Sequence, residues 1–230
     1  MTTTTDPATA SYLASLDAVI ADVIAPRADD TDRTATFPRA ALDALGDAGL
    51  LGLVSAPEVG GLGQGHRAAT LAVERIARHC ASTAMVVCMH YAAAAVVEAY
   101  GPRGARAAIA AGRSVATLAF SESGSRSHFW APVSTATAAD DGVRLDARKS
   151  WVTSAGEAGL YVWSSRPVAA DGASTLWLVP ADSAGLRVGA PFDGLGLRGN
   201  CSSSLSERTT LRLARQGAAV RMRRTVCGGA

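Results

Sequence analysis

The sequence predicts an α+β fold in which an N-terminal all-α helical domain is followed by a mostly antiparallel β domain. Three observations predict it. Up to about residue 110, apolar residues recur at helical spacing. After Ser114, short runs of β-branched and aromatic residues take over, separated by turn dipeptides. The two textures are segregated along the chain, which argues for two domains and against an alternating βαβ order.

In the first helix, Tyr12, Leu13, Leu16, Val19, Ile20, Val23 and Ile24 form an apolar stripe from Ser11 to Ile24, and Pro26 is expected to close it. A second helix is expected after Thr36, with Pro38 in its first turn, running through Leu42 and Leu45 and stopping at Gly49. A loop from Leu51 to Gly65 precedes a third helix from about Arg67 to His79. Ser82 is placed to cap a fourth that continues to Tyr100, where Gly101-Pro102 breaks it. A short helix from Arg103 to Ala110 ends at Gly112. The candidate strands are Val115–Ser121, Val133–Ala139, Val143–Thr153, Leu160–Ser165, Thr175–Pro180 and Leu186–Gly189, with Asp141-Gly142 as a hairpin turn. The expected organisation is therefore a helical domain over 1–113, a β domain over 114–205 and a basic tail over 206–230.

Bulk properties restrict the function classes. At 48% hydrophobic residues, the 230-residue chain can build a sizeable core. The net charge of +2 is unevenly spread: residues 206–230 hold six arginines and one acid, a local +5, which leaves −3 on the rest. A faintly acidic body offers no footprint for nucleic acid, and no aromatic residue interleaves the tail arginines. Cys80, Cys88, Cys201 and Cys227 lack CxxC spacing and the histidines form no ligand cluster, so reduced thiols and no metal are expected. The first ten residues lack the basic and apolar regions of a secretory signal. The apolar run Met85–Val97 is too short to span a bilayer, and a cytoplasmic protein with no membrane partner is expected.

Few residues invite a chemical reading. The loop Gly60-Gly61-Leu62-Gly63-Gln64-Gly65 follows no strand and matches neither phosphate-loop spacing, so it reads as an interhelix turn. His90, inside an apolar helix, reads as a hydrogen-bonded core imidazole. Two segments stand out. Leu118–Ser127 sets Ser121, Ser123, Ser125 and Ser127 around Gly124, a composition able to wrap an anion. Lys149-Ser150-Trp151-Val152-Thr153-Ser154 offers an indole and a hydroxyl two residues apart, hence on one side of a strand, where a flat heteroaromatic ring can rest on Trp151 and bond Thr153. The plainer alternative is a Ser-rich turn and an interior tryptophan.

The order and spacing of several motifs resemble the acyl-CoA dehydrogenase family over residues 10 to about 205. These are Phe37-Pro38, Gly49-Leu50-Leu51-Gly52 followed by Pro57 and Gly60-Gly61-Leu62-Gly63, Glu98-Ala99-Tyr100-Gly101, Phe120-Ser121-Glu122 with Gly124 and Ser127, Lys149–Thr153, and Gly194–Asn200. The resemblance implies a flavoprotein of lipid metabolism that uses FAD to oxidise an acyl-CoA thioester between its α and β carbons. The flavin would lie in a cleft between the β domain and a C-terminal helical bundle. On this reading Leu118, Phe120 and Ser121 contact the flavin pyrimidine edge, Ser127 the pyrophosphate, Trp151 the isoalloxazine face, and Thr153 the region of N5. An electron-transfer flavoprotein is the implied acceptor and a homo-oligomer the implied assembly.

Two departures bear on function. Where the family commonly shows Glu-Pro-x-x-Gly-Ser-Asp, the chain has Glu122-Ser123-Gly124-Ser125-Arg126-Ser127-His128. Beyond Ser204 it turns Arg-rich, as a shifted reading frame would. The expectation is a truncated chain with a disordered tail, lacking the domain that carries the family's catalytic carboxylate, so no catalytic residue is assigned. Alternatives are a flavin-dependent monooxygenase or oxidase of the same fold, and a non-catalytic remnant.

Overall fold

The computed structural model describes residues 7–125, 131–139, 142–167, 174–207, 210–211 and 220–221. Among these residues six α-helices come first: α1 (Pro7–Val19), α2 (Ala25–Arg33), α3 (Arg39–Asp47), α4 (His66–Ala77), α5 (Ala81–Tyr100) and α6 (Arg103–Ala110). Nine strands follow among the described residues: β1 (Ala116–Ala119), β2 (Thr135–Ala139), β3 (Gly142–Val152), β4 (Leu160–Ser165), β5 (Thr175–Pro180), β6 (Arg187–Pro191), β7 (Ser203–Glu207), β8 (Thr210–Leu211) and β9 (Val220–Arg221).

Pro26 does not end the first helix. Ile20–Ile24 forms a π-helical turn in which the Ala25 N–H bonds to the Ile20 carbonyl, five residues back, and α2 then starts with Pro26 in its first turn. Proline has no N–H to give and is tolerated there, so the wider turn absorbs it and the helix continues to Arg33. The cap of α5 also differs from expectation. Cys80 is the N-cap, its sulfur accepting from the Thr83 N–H, while Ser82 lies inside the helix and is buried.

The helices bury Leu16, Ile20, Ile24, Leu42, Leu45, Leu53 and Ile76 in one cluster, each such side chain worth about 1.5–3 kcal/mol over exposure. By length and composition α5 is apolar enough to cross a membrane. Much of that apolarity serves contacts within the fold: Val86, Val87, Ala93, Ala94 and Val97 are buried, and α5 packs on α4, α6 and β1.

The strands form two sheets. In the first, β1 runs parallel to β4, and β4–β5–β9 continue antiparallel. In the second, β2–β3–β7–β6 are antiparallel and β8 also pairs with β3. Ala119, Tyr161, Trp163, Trp177 and Val179 of the first sheet meet Leu145, Ala147, Val152 and Leu205 of the second in a sandwich core. The opposite face of the first sheet, through Ala116, Val162 and Leu176, packs on Ala93, Ala94 and Val97 of α5 and Ile109 of α6. Helices, first sheet and second sheet are thus successive layers, and β4 is buried along nearly its whole length.

β7 was not expected from its Ser-rich sequence. Of the basic tail, for which no order was expected, the structure describes Ser206 and Glu207 at the end of β7, and Thr210–Leu211 and Val220–Arg221, which pair with β3 and β5. The remainder of the tail, like the Asp140 and Asp141 positions of the β2–β3 hairpin, lies outside the described residues.

Candidate functional site

The segments 118–122 and 149–153 are brought side by side. The Ser150 N–H bonds to the Ser121 carbonyl at 2.9 Å, and Glu122 and Lys149 form an isolated antiparallel bridge. Their side chains continue the contact. Along β3 the inward phase runs Leu145, Ala147, Lys149, so the ammonium enters the sandwich and is 1% exposed as a residue. There Nζ contacts the Glu122 carboxylate and donates to the Ser164 carbonyl at 2.7 Å, with the Ser164 hydroxyl at 3.1 Å. The Trp163 ring centroid lies 5.4 Å away. Glu122 also accepts from the Val133 N–H at 2.6 Å, from the Ser134 N–H at 3.1 Å and from the Ser134 hydroxyl. Burial pushes the Lys149 ammonium down to about 8 against the pull of Glu122. Burial would raise the Glu122 carboxyl, but hydrogen bonds from Lys149 and Ser134 outweigh it and hold the group below the usual carboxylate range. The pair was missed by sequence reasoning. Its signal was a lone lysine in phase with buried Leu145 and Ala147, which demands a buried partner.

Immediately after Lys149 the ladder slips. The β3–β7 register shifts between Lys149 and Val152, and Trp151 takes φ 57°. A bulge of this kind re-aims a side chain. Trp151 is 65% exposed although its neighbour Val152 is buried, and its indole packs on Phe192 with ring centroids 4.4 Å apart. Thr153 is buried, its hydroxyl 3.5 Å from that of Ser202. Simple alternation, which had put Trp151 and Thr153 on one side of a strand, is therefore broken: β3 ends at Val152 and Thr153 opens a turn. The Ser154 hydroxyl beside it is buried with no hydrogen-bond partner.

Leu118 and Phe120 are half-buried and face the helices, packed against the cluster of Ala93, Val97 and Val162. Ser121 is half-buried, its carbonyl engaged by Ser150. The Ser-rich turn closes on itself, since the Ser125 hydroxyl and N–H both return to the Glu122 carbonyl. Ser127 lies outside the described residues, as do Arg126 and His128.

Other sequence features resolve as structure. In the glycine-rich loop the N–H groups of Gly61, Leu62, Gly63 and Gln64 bond to the carbonyls of Ala56, Gly52, Ser55 and Leu53. A Cβ on Gly61 would stand 2.1 Å from the Ser55 oxygen. Those amides are spent on the chain itself. His90 accepts from the Ala116 N–H at Nδ1 (3.1 Å) and so donates from Nε2 to the Leu51 carbonyl (2.9 Å), a neutral imidazole joining α5 to β1, with burial lowering its pKa. Gly194–Asn200 docks the β layer on the helices. The Gly199 N–H bonds to the Ser82 hydroxyl at 3.2 Å, and a Cβ on Gly199 would lie 2.5 Å from Thr31 and 2.8 Å from the Thr36 carbonyl oxygen. Glu98 is paired with Arg106 and Glu157 with Arg39, as Glu122 is with Lys149. Among the described residues no cluster of metal-ligating side chains is present, and Cys80, Cys88 and Cys201 are free thiols.

A helical layer packed on a β sandwich is the architecture expected from the sequence. Residues 8–111 match the acyl-CoA dehydrogenase N-terminal domain and residues 117–208 the acyl-CoA dehydrogenase middle domain. The chain belongs to the acyl-CoA dehydrogenase family. It is 31% identical over 188 residues to the human mitochondrial short-chain specific acyl-CoA dehydrogenase, covering 78% of this chain and 45% of that protein. The butyryl-CoA dehydrogenase of Megasphaera elsdenii shares the fold, with TM-score 0.83 and 18% identity over 96% of this chain and 61% of the other. KijD3, solved with FMN and a dTDP-linked amino sugar, matches at TM-score 0.74 and 26% identity over 90% of this chain and 53% of the other. The chain spans about half the length of the curated relatives it matches.

Proposed function

We propose that this chain supplies the helical and β portion of an FAD-dependent oxidoreductase acting on the α,β C–C bond of an acyl-CoA thioester. The observation that carries the proposal is the exposed Trp151 indole, set out from the sheet by a bulge two residues before Thr153, in a chain of this family. The donor set suits a flavin, whose flat apolar faces and polar edge need an aromatic surface beside hydroxyl and backbone groups. FAD, when bound, supplies the two-electron acceptor for hydride leaving the β carbon while a base takes the α proton.

In this assignment Trp151 packs on one ring face and Thr153 hydrogen-bonds near N5. Leu118, Phe120 and Ser121 line the pyrimidine edge, with Ser127 toward the pyrophosphate. Lys149 and Glu122 act behind them, tying the two segments together so that indole and edge contacts keep one spacing. An acyl-CoA substrate, an electron-transfer flavoprotein as acceptor, a homo-oligomeric assembly and a cytoplasmic setting in lipid metabolism complete the reading. None of Glu98, Glu122 and Glu157 is assigned as the base, because each is held in an ion pair.

The test is to join residues 1–205 to the C-terminal portion of a short-chain relative, load FAD and mix anaerobically with acyl-CoAs of graded length. Bleaching of the flavin is expected. A flavin that no acyl-CoA bleaches would remove the dehydrogenase reading. A second reading, a flavin enzyme of the same fold with another substrate class, is favoured by the likeness to KijD3; consumption of oxygen without acyl-CoA oxidation would select it.

A further inference from the structure

We infer that Phe192 is a positioning residue for the flavin surface, resting on the reading that Trp151 packs on an isoalloxazine ring. An exposed indole on a bulge residue is free to change rotamer unless something holds it, and a mobile indole forfeits ordering entropy on binding a flat ligand. Phe192 is what holds it. The two ring centroids are 4.4 Å apart at an interplanar angle of 39°, a tilted contact at the short end of aromatic pair separations. One face of the indole is thereby occupied from within the chain.

Phe192 is itself anchored to the structure that places Thr153. Its N–H bonds to the Ser202 carbonyl at 2.9 Å, the Ser202 N–H bonds to the Asn200 side chain at 2.8 Å, and the Ser202 hydroxyl stands 3.5 Å from the Thr153 hydroxyl. The Asn200 carbonyl in turn accepts from the Ser154 N–H at 2.9 Å. The 192–202 segment therefore reaches the indole through Phe192 and the hydroxyl through Ser202. It fixes the distance between a face contact on the bulge and an edge contact just beyond it. Nothing in the sequence of Pro191-Phe192-Asp193 announced this role.

The experiment uses the full chain labelled with 5-fluorotryptophan, whose four tryptophan sites give separate fluorine resonances, the Trp151 line being assigned by Trp151→Phe. Phe192→Leu, which keeps an apolar side chain but removes the ring, is expected to move the Trp151 line and leave those of buried Trp163 and Trp177 in place. Titration with FAD should then show about three- to tenfold weaker binding than wild type, the size of one aromatic pair. Phe192→Tyr, which retains the pair, should bind like wild type. Equal FAD affinity for wild type and Phe192→Leu would overturn the inference while leaving the flavin reading intact, and so would a Phe192→Tyr protein as weak as Phe192→Leu. No FAD binding by wild type would overturn the flavin reading and, with it, this role for Phe192. If the Trp163 and Trp177 lines also move in Phe192→Leu, the tyrosine variant alone decides.

Discussion

The Lys149 ammonium and the Glu122 carboxylate, 27 residues apart in the chain, meet in a buried ion pair whose side chains are 0% and 1% exposed. Burying two charges costs several kcal/mol per ion unless each is fully hydrogen-bonded, and here the Ser134 and Ser164 hydroxyls and three backbone groups complete the shell. The pair stands directly behind the segments assigned to the flavin, so its disruption is expected to affect both stability and site geometry.

Lys149→Met should destabilise the fold by about 3–5 kcal/mol, because it leaves an uncompensated buried carboxylate. The double variant Lys149→Met with Glu122→Gln should lose clearly less than the sum of the two single changes. Urea denaturation of the four proteins in a double-mutant cycle measures this. Additive losses would mean that the two groups do not depend on each other.

Stability should fall with acid in two stages. The folded pKa of His90 is below its ordinary value of 6.5, chiefly by burial. As the pH drops below about 6.5 the unfolded chain takes a proton that the native chain refuses, costing up to about 1.4 kcal/mol per pH unit. The folded pKa of Glu122 is also below its ordinary value of 4.5. Its contribution is complete above that value and is lost as the pH falls toward the lower, folded one. Thermal unfolding between pH 7 and 3 should show both stages in wild type, the first missing in His90→Gln and the second in Glu122→Gln.

Gly199→Ala should loosen the joint between the layers. The added Cβ meets the Thr36 carbonyl oxygen and both side chain and backbone of Thr31 at 3.0 Å or less, and overpacking of this kind costs about 1–3 kcal/mol. Ser82→Ala removes the hydroxyl that receives the Gly199 N–H and should cost about 1 kcal/mol. Hydrogen exchange of the Gly199 amide, faster in Ser82→Ala than in wild type, checks that the effect is local.

Most of the fold was legible because its signals are periodic. The stripe from Tyr12 to Ile24, and the short β-branched runs at Leu160–Ser165 and Thr175–Pro180, place helices and strands from local pattern alone. What failed depended on tertiary partners. Pro26 reads as a stop until a π turn accommodates it, and Ser82 reads as a cap because nothing local reveals that Gly199 needs its hydroxyl. The Ser-rich β7 has no strand signature and forms because β3 and β6 flank it. The motifs singled out Trp151 and Thr153 as candidates. The bulge that separates their environments, the Glu122 partner of Lys149 and the Phe192 contact arise from residues distant in sequence and were invisible there.

The central claim, that the exposed Trp151 indole is a flavin surface, is tested most directly by titrating FAD into the chain and following quenching of flavin fluorescence, which stacking on an indole produces. Weak but saturable quenching is expected in wild type, since the family's cleft takes its other wall from a C-terminal bundle, with affinity reduced about tenfold or lost in Trp151→Ala. Absence of saturable quenching in wild type, or an unchanged titration in Trp151→Ala, would contradict it.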